Sequence, residues 1–259
     1  MKSKKPKVSL ISHTEHPLEL MCYFRRVMHA PVPDSLYEMA QEPEKWLGMS
    51  IDDYVEKVLA KDRMPTFLES VQFTFKLEHV SRALTHQLVR HRVGFSYSQQ
   101  SQRCVRMETF AGDGNYHCPE TADPKLYHPL MVGVQEAYNA ALENGCTTQD
   151  ARGLLPTNIQ TTILFSCTLR ALIGMLNKRL CQKTQGEFRS VAHQIMDLLN
   201  EVDLRITEYW VGAPCKFGKC MMESENEMQY QQGLLEGQQN TDHVCPIYVC
   251  KFKKDKNGL

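Results

Sequence analysis

An α/β fold, a mixed sheet flanked by helices with one long central helix, is what three observations in the sequence predict. Val71 to Leu77 alternates apolar and polar residues as a half-buried strand does. Three longer segments, about 130–143, 159–180 and 187–209, repeat apolar residues at helical spacing. The chain has 259 residues, 42% of them hydrophobic, enough to bury a large core in one domain with or without an appendage.

Val8-Ser9-Leu10-Ile11 reads as an opening strand, and 34–60 carries apolar residues at mixed helical spacing without a sign of chemistry. Thr66 and Glu69 stand at capping-box spacing and predict a helical turn before the strand at Val71. Val80, Ala83, Leu84, Gln87 and Leu88 repeat at helix spacing, so this helix delivers its C-terminal end into Arg90-His91-Arg92. Ser96 to Arg103 reads as a loop or irregular strand, and 113–129, with Gly, Pro and Asp clustered, as a connection. The helix at 187–209 is the clearest, with Phe188, Val191, Ala192, Ile195, Met196, Leu199 and Val202 on one face. After Trp210 the composition shifts to a tail rich in Gln, Glu and Met. Residues 1–213 are therefore read as the main domain and 214–259 as a Cys-containing C-terminal extension. There is no internal repeat and no Gly-rich dinucleotide fingerprint.

Lys+Arg and Asp+Glu number 30 each, so there is no global basic field of the kind that drives nonspecific nucleic-acid binding, and any anion must be held by local clusters. The basic N-terminus is followed by an apolar run only from Val8 to Ile11, too short for a signal-peptide core or a membrane span. Ten cysteines dispersed over a large domain without an export signal favour reduced thiols, and the expected compartment is the cytoplasm.

The most informative segment is 90–103, Arg90-His-Arg-Val-Gly-Phe-Ser-Tyr-Ser-Gln-Gln-Ser-Gln-Arg103. Three arginines and a histidine supply donors for phosphates, the serines and glutamines supply neutral groups for a heterocycle's edge, and neither lysine nor carboxylate is present. An uncompensated positive loop is expected to meet an anion; the alternative is a loop whose arginines pair with acids from elsewhere in the fold.

Arg90-His91-Arg92, eight residues and then Ser101 resembles the signature of the flavin-dependent thymidylate synthases. Supporting segments lie in the expected order: Phe73-Thr-Phe75 and Gln87 upstream, then Ala151-Arg152-Gly-Leu-Leu-Pro156, Leu169-Arg170-Ala-Leu172, Arg179 and Gln185-Gly-Glu-Phe-Arg189. Together they span roughly 64–192. The resemblance implies FAD bound at subunit interfaces of a homotetramer, dUMP as substrate, methylenetetrahydrofolate as one-carbon donor, NADPH as reductant and dTMP as product.

Carried over by position, the resemblance assigns Thr66, Glu69, Arg90, His91, Arg92, Gln99, Thr168, Arg170 and Gly174 to FAD. It assigns Gln87, Arg90, Gln99, Gln100, Ser101, Gln102, Arg103, Arg152 and Arg179 to the nucleotide. Arg170 and Arg179, nine residues apart at about 100° per residue, point to opposite faces of one helix, so one helix can serve two anions. Arg179 and Ser101 stand closest to the chemistry: Arg179 would favour the anionic uracil ring by its fixed charge. Ser101, with no Gly-x-Ser-x-Gly elbow, would hydrogen-bond the nucleotide rather than attack it. The family has Asn-Glu where this chain has Ser98-Gln99, Asn at Thr168, and Asn or His at Gly174. Gln99 keeps hydrogen-bonding capacity without a charge, and any flavin contact at Gly174 falls to the backbone or a neighbour.

Cys215, Cys220, Cys245 and Cys250 could together ligate zinc, but each pair is spaced more widely than a two-residue knuckle, so the reading is no metal, with free thiols or a tail disulfide. Two rivals are kept. One is a related flavin enzyme that makes a different modified pyrimidine, motivated by Ser98-Gln99. The other is a phosphate- or RNA-binding module using Arg90, Arg92, Arg103 and the basic tail, which the sparse aromatics near the arginines, Phe95 and Tyr97, disfavour.

Overall fold

The structure, a computed structural model, describes residues 3–217. The chain divides into two compact units, Met1–Leu172 and Ile173–Leu259. The first runs β1 (Lys7–His13), α1 (Pro17–Val27), α2 (Leu36–Gln41), α3 (Pro43–Leu47), α4 (Ile51–Lys57), β2 (Gln72–Ser81), α5 (Arg82–Leu88), β3 (Phe95–Gln99), α6 (Pro124–Glu143), α7 (Thr148–Ala151) and β4 (Gln160–Thr168). Helix α8 (Leu169–Arg179) begins in this unit and ends in the second, which continues with α9 (Gly186–Val202) and α10 (Leu204–Trp210).

The α/β class is as expected from the sequence, but the sheet is antiparallel throughout rather than mixed. Its order is β1-β2-β4-β3, and all three pairings are antiparallel. The alternation that marks β2 says only that one face is buried, which antiparallel sheets allow and parallel sheets seldom do; it carries no strand direction. Phe73, Phe75 and Leu77 of β2 are buried with Ile163, Phe165 and Cys167 of β4, while Leu164 and Ser166 are exposed. Phe75 lies opposite Phe165, and Tyr97 pairs with Phe165 from the other side, forming an aromatic row across the sheet. The register slips between Leu77 and Val80, where His79 has φ of 57°. This bulge moves the buried set from odd to even positions, so that Val80 follows Leu77 into the core.

The predicted helix over 159–180 is helical only in its second half. Ile163, Phe165 and Cys167 bury at a period of two, and Thr161, Thr162 and Ile163 are β-branched, so the first half joins the sheet as β4. The long central helix is thereby shortened to the 11 residues of α8. Helix α6 starts six residues before the predicted position because Asp123 accepts the Lys125 N–H at 2.9 Å and Pro124 occupies the first helical turn. In the second unit the predicted helix at 187–209 breaks at Asp203, which is extended and caps α10 by accepting the Arg205 N–H at 3.0 Å. Phe188, Val191, Ala192, Ile195 and Leu199 are buried as the α9 periodicity requires. Most of the proposed extension, 214–259, lies outside the described residues.

Candidate functional site

The site is built where α5 ends. Ser81, fully buried, accepts the Leu84 N–H at 3.0 Å and so caps the start of α5. At the other end Arg90 N–H donates to the Gln87 carbonyl at 3.3 Å and His91 N–H to the Leu88 carbonyl at 3.0 Å, tightening the exit into a turn. Gly94 takes φ of 74°, a left-handed conformation that costs glycine nothing, and β3 starts at the next residue. Arg90, Arg92 and Val93 project into solvent, Val93 at 91% exposure.

Strand β3 sends its side chains back to α5. The Tyr97 hydroxyl lies 2.6 Å from the His91 carbonyl and 2.9 Å from the Leu88 carbonyl, and burial raises its pKa. The Gln99 amide donates to Thr85 Oγ1 at 3.1 Å, and that hydroxyl donates to the Arg82 carbonyl at 3.0 Å. Gln100 N–H donates to the Thr162 carbonyl at 3.0 Å, and its side chain is exposed. A turn follows in which the Ser101 carbonyl accepts from Cys104 N–H and Val105 N–H, and the Ser101 hydroxyl accepts from Arg103 N–H at 3.2 Å. Ser101 therefore organises the turn that carries Gln102 and the exposed Arg103. Loop and irregular strand were both expected over 96–103; the structure uses each, a strand to Gln99 and turns beyond it.

Among the described residues no carboxylate forms an ion pair with Arg90, Arg92, Arg103 or Arg152. The alternative in which acids from elsewhere neutralise this loop is thus not what the fold does. Sequence reasoning missed Arg82, at the first position of α5. Burial, and after it the neighbouring Arg152 guanidinium, hold Arg82 below the ordinary arginine pKa. Among the described residues no carboxylate pairs with either guanidinium to relieve that repulsion. The only local signal was the Ser-Arg pair at the helix start, and nothing in the sequence links it to Arg152.

On the other side of β4, Glu69 ends the 3₁₀ turn Thr66–Glu69, and its Oε1 accepts from Arg170 Nη1 at 2.6 Å. The helical turn before β2 is as expected, but Thr66 is its first residue rather than its cap, and Pro65 occupies the cap position. Thr168 N–H donates to the Gly94 carbonyl at 3.1 Å, and the Thr168 hydroxyl accepts the Ala171 N–H at 3.2 Å, starting α8. The Arg90–Arg92 turn is thereby tied to the β4–α8 junction that precedes Arg170. In the second unit Gly174 is exposed, and a Cβ there would meet nothing within 4 Å. Arg179 is half-buried with its guanidinium carbon 4.6 Å from the Phe188 ring centroid, and burial lowers its pKa.

Cys104, Cys118, Cys146, Cys167 and Cys181 form no disulfide among the described residues. Among the described residues no group of three or more His, Cys, Asp or Glu could hold a metal ion. Cys220, Cys245, Cys250 and the side chain of Cys215 lie outside the described residues. Among the described residues no helix is long and apolar enough to cross a membrane.

The arrangement is that of an α/β protein that gathers arginines, amides and hydroxyls between the end of α5 and the turn at 101–103. Residues 9–203 match the family model for the thymidylate synthase complementing protein. Flavin-dependent thymidylate synthase from Nitratidesulfovibrio vulgaris is 34% identical over 241 residues, covering 85% of this chain and 93% of the relative. The enzyme of the same name from Geobacter sulfurreducens is 32% identical over 220 residues, covering 83% and 90%. The chain belongs to this flavin-dependent thymidylate synthase family of enzymes. Crystal structures share the fold: thymidylate synthase X from Helicobacter pylori with FAD and dUMP has a TM-score of 0.62 at 19% identity, over 78% of this chain and 97% of that one. The UMP/dUMP methylase PolB from Streptomyces cacaoi, bound with 5-Br dUMP, has a TM-score of 0.61 at 19% identity, over 81% and 96%.

Proposed function

We propose that this chain catalyses the FAD-dependent methylation of dUMP to dTMP, with methylenetetrahydrofolate as one-carbon donor and NADPH as reductant, in a cytoplasmic homotetramer. The observation that carries the reading is the exposed Arg90–Arg103 segment, whose three arginines have no carboxylate partner among the described residues, in a chain of this family. That donor set fits a dinucleotide: Arg90 and Arg92 offer forked donors to a diphosphate, with His91 between them. Glu69 and Arg170 form a pair that is 56% and 48% exposed, too open to add much stability and suited to orient a polar ligand. Thr66, Gln99, Thr168 and Gly174 complete the proposed flavin surface.

When bound, FAD supplies the reducing equivalents and the carrier for the one-carbon unit. The protein's own part is binding, orientation and charge. Arg82, Arg103 and Arg152 grip the dUMP phosphate, while Gln87, Gln99, Gln100, Ser101 and Gln102 supply hydrogen bonds to the sugar and base. Arg179 sets a fixed positive charge against the uracil ring and favours its anionic form. Ser101 holds its turn and donates to the nucleotide; no protein nucleophile is needed.

Ser98 and Gln99, in place of an amide and a carboxylate, motivate a second reading in which the same flavin chemistry yields a different pyrimidine product. The test is the absorbance spectrum of the purified protein, repeated anaerobically with NADPH and dUMP, followed by product analysis after methylenetetrahydrofolate is added. Flavin absorbance that bleaches and a dTMP product are expected. Bleaching with another product favours the second reading. A colourless protein that takes up no added FAD, with RNA affinity falling steeply as salt rises, overturns both in favour of a binding module.

A further inference from the structure

Among the described residues Arg90, Arg92 and Val93 have no ion-pair or ring partner that would set their direction, so the direction of the turn is set by what holds its two ends. The first end is held by Tyr97. Its ring lies parallel to Phe95 at 5.7 Å with 2° between planes and is tilted on Phe165 at 6.3 Å, which fixes where the hydroxyl goes. That hydroxyl's single proton is shared between two carbonyls, Leu88 at 2.9 Å and His91 at 2.6 Å. Leu88 is the last residue of α5, and His91 is the centre of the arginine turn, so one phenol ties the helix end to the turn. Burial raises the phenol pKa, and the group stays a donor at any working pH.

The second end is held by Gly94. Its carbonyl accepts the Thr168 N–H at 3.1 Å, and a Cβ built on it would lie 2.7 Å from Ala171 Cβ and 3.0 Å from Thr168 Oγ1. Its φ of 74° adds a conformational demand that an L side chain meets only with strain. The turn can therefore seat on the start of α8 only with glycine at this position. A longer side chain would lift it off the junction that leads to Arg170.

We infer that Tyr97 and Gly94 are positioning residues that together aim Arg90 and Arg92 at the flavin diphosphate. The inference rests on the proposed FAD reading. Neither residue needs to touch the cofactor; each acts through the backbone of the turn.

The test is FAD titration of the full chain, wild type against Tyr97→Phe, Gly94→Ala, and Gly94→Ala combined with Ala171→Gly. Tyr97→Phe keeps the stacked ring and removes only the two hydrogen bonds. It should weaken FAD binding about tenfold, with the far-UV spectrum unchanged. Gly94→Ala should weaken it about 100-fold, the scale of a misplaced binding group. Ala171→Gly removes the closest atom that the new Cβ meets, and should restore part of the affinity lost in Gly94→Ala even though glycine lowers the helix propensity of α8. A merely structural role predicts that the loss of affinity follows the loss of melting temperature across the variants and disappears once the folded fraction is accounted for. Wild-type FAD affinity in Tyr97→Phe, or no rescue by Ala171→Gly, overturns the inference while leaving the FAD reading intact. Failure of the wild-type chain to bind FAD overturns both.

Discussion

Arg179 sits half-buried against the Phe188 ring, and burial pulls its pKa down from a value so high that the guanidinium stays charged at any working pH. That permanence is what its proposed role requires, and it makes the substitution Arg179→Lys informative. Lysine keeps a cation but loses the planar fork and the stacking, so kcat with dUMP should fall by about 100-fold at neutral pH. Burial disfavours a charged ammonium as well, so the variant lysine should titrate below its ordinary value. It is charged below that pKa and neutral above it. Activity of the variant should therefore decline as pH rises, over a range where the wild-type rate shows no such decline. Matching pH profiles of kcat for the two proteins would remove Arg179 from the activating role. At this scale the sequence was legible where chemistry is local: 90–103 lacks carboxylates, and the fold supplies none as ion-pair partners to its arginines among the described residues. Arg82 was not legible, because what distinguishes it is Arg152, brought beside it by the fold. Gly94 gives no signal in the sequence, because its left-handed φ and its approach to Ala171 exist only once the turn has seated.

Strand β4 and helix α8 show why one element was misread while the placement of its two arginines on one helix was not. Ile163, Phe165 and Cys167 alternate inward, but Leu164 supplies an apolar residue on the outer face and blurs the period of two into an apolar run. The arginines fall in the helical half, so Arg170 and Arg179 share α8 as the spacing required. The same helix carries Gly174, which is exposed and has open space around a would-be Cβ. Glycine at such a place costs helix stability without a packing reason, and Gly174→Ala should stabilise the protein by about 1 kcal/mol. The melting temperature of the apoprotein should rise by roughly 2–4 °C. If the flavin approaches the α8 backbone at this position, the same methyl group should weaken FAD binding. Opposite movements of stability and FAD affinity are the expected result. A rise in melting temperature with FAD affinity unchanged would take Gly174 out of the cofactor surface.

At the scale of the molecule, equal numbers of acidic and basic residues leave the anion site to local clustering, and the clustering is long-range in sequence: Glu69 pairs with Arg170, and the charge of Arg152 is felt at Arg82. Periodicity reveals elements and composition reveals a loop in want of an anion, but such pairings and the antiparallel order of the sheet arise only from how the strands stack. The family match ends at residue 203, before the proposed extension at 214–259. If the catalytic unit is 1–213, the extension should be dispensable for both assembly and cofactor. A chain cut after Phe217 should then keep a homotetramer's mass by light scattering, and FAD absorbance equal to that of the full chain. A tetramer is expected because a flavin held by exposed arginines on one subunit would otherwise stay half open to water. Cutting the chain also separates two readings of Cys215, Cys220, Cys245 and Cys250. With no metal at these thiols, the zinc content of the full chain and the cut chain should both be far below one per subunit. A stoichiometric zinc in the full chain, lost on cutting together with the tetramer or the flavin, would make the extension part of the enzyme's working core and move the domain boundary to the end of the chain.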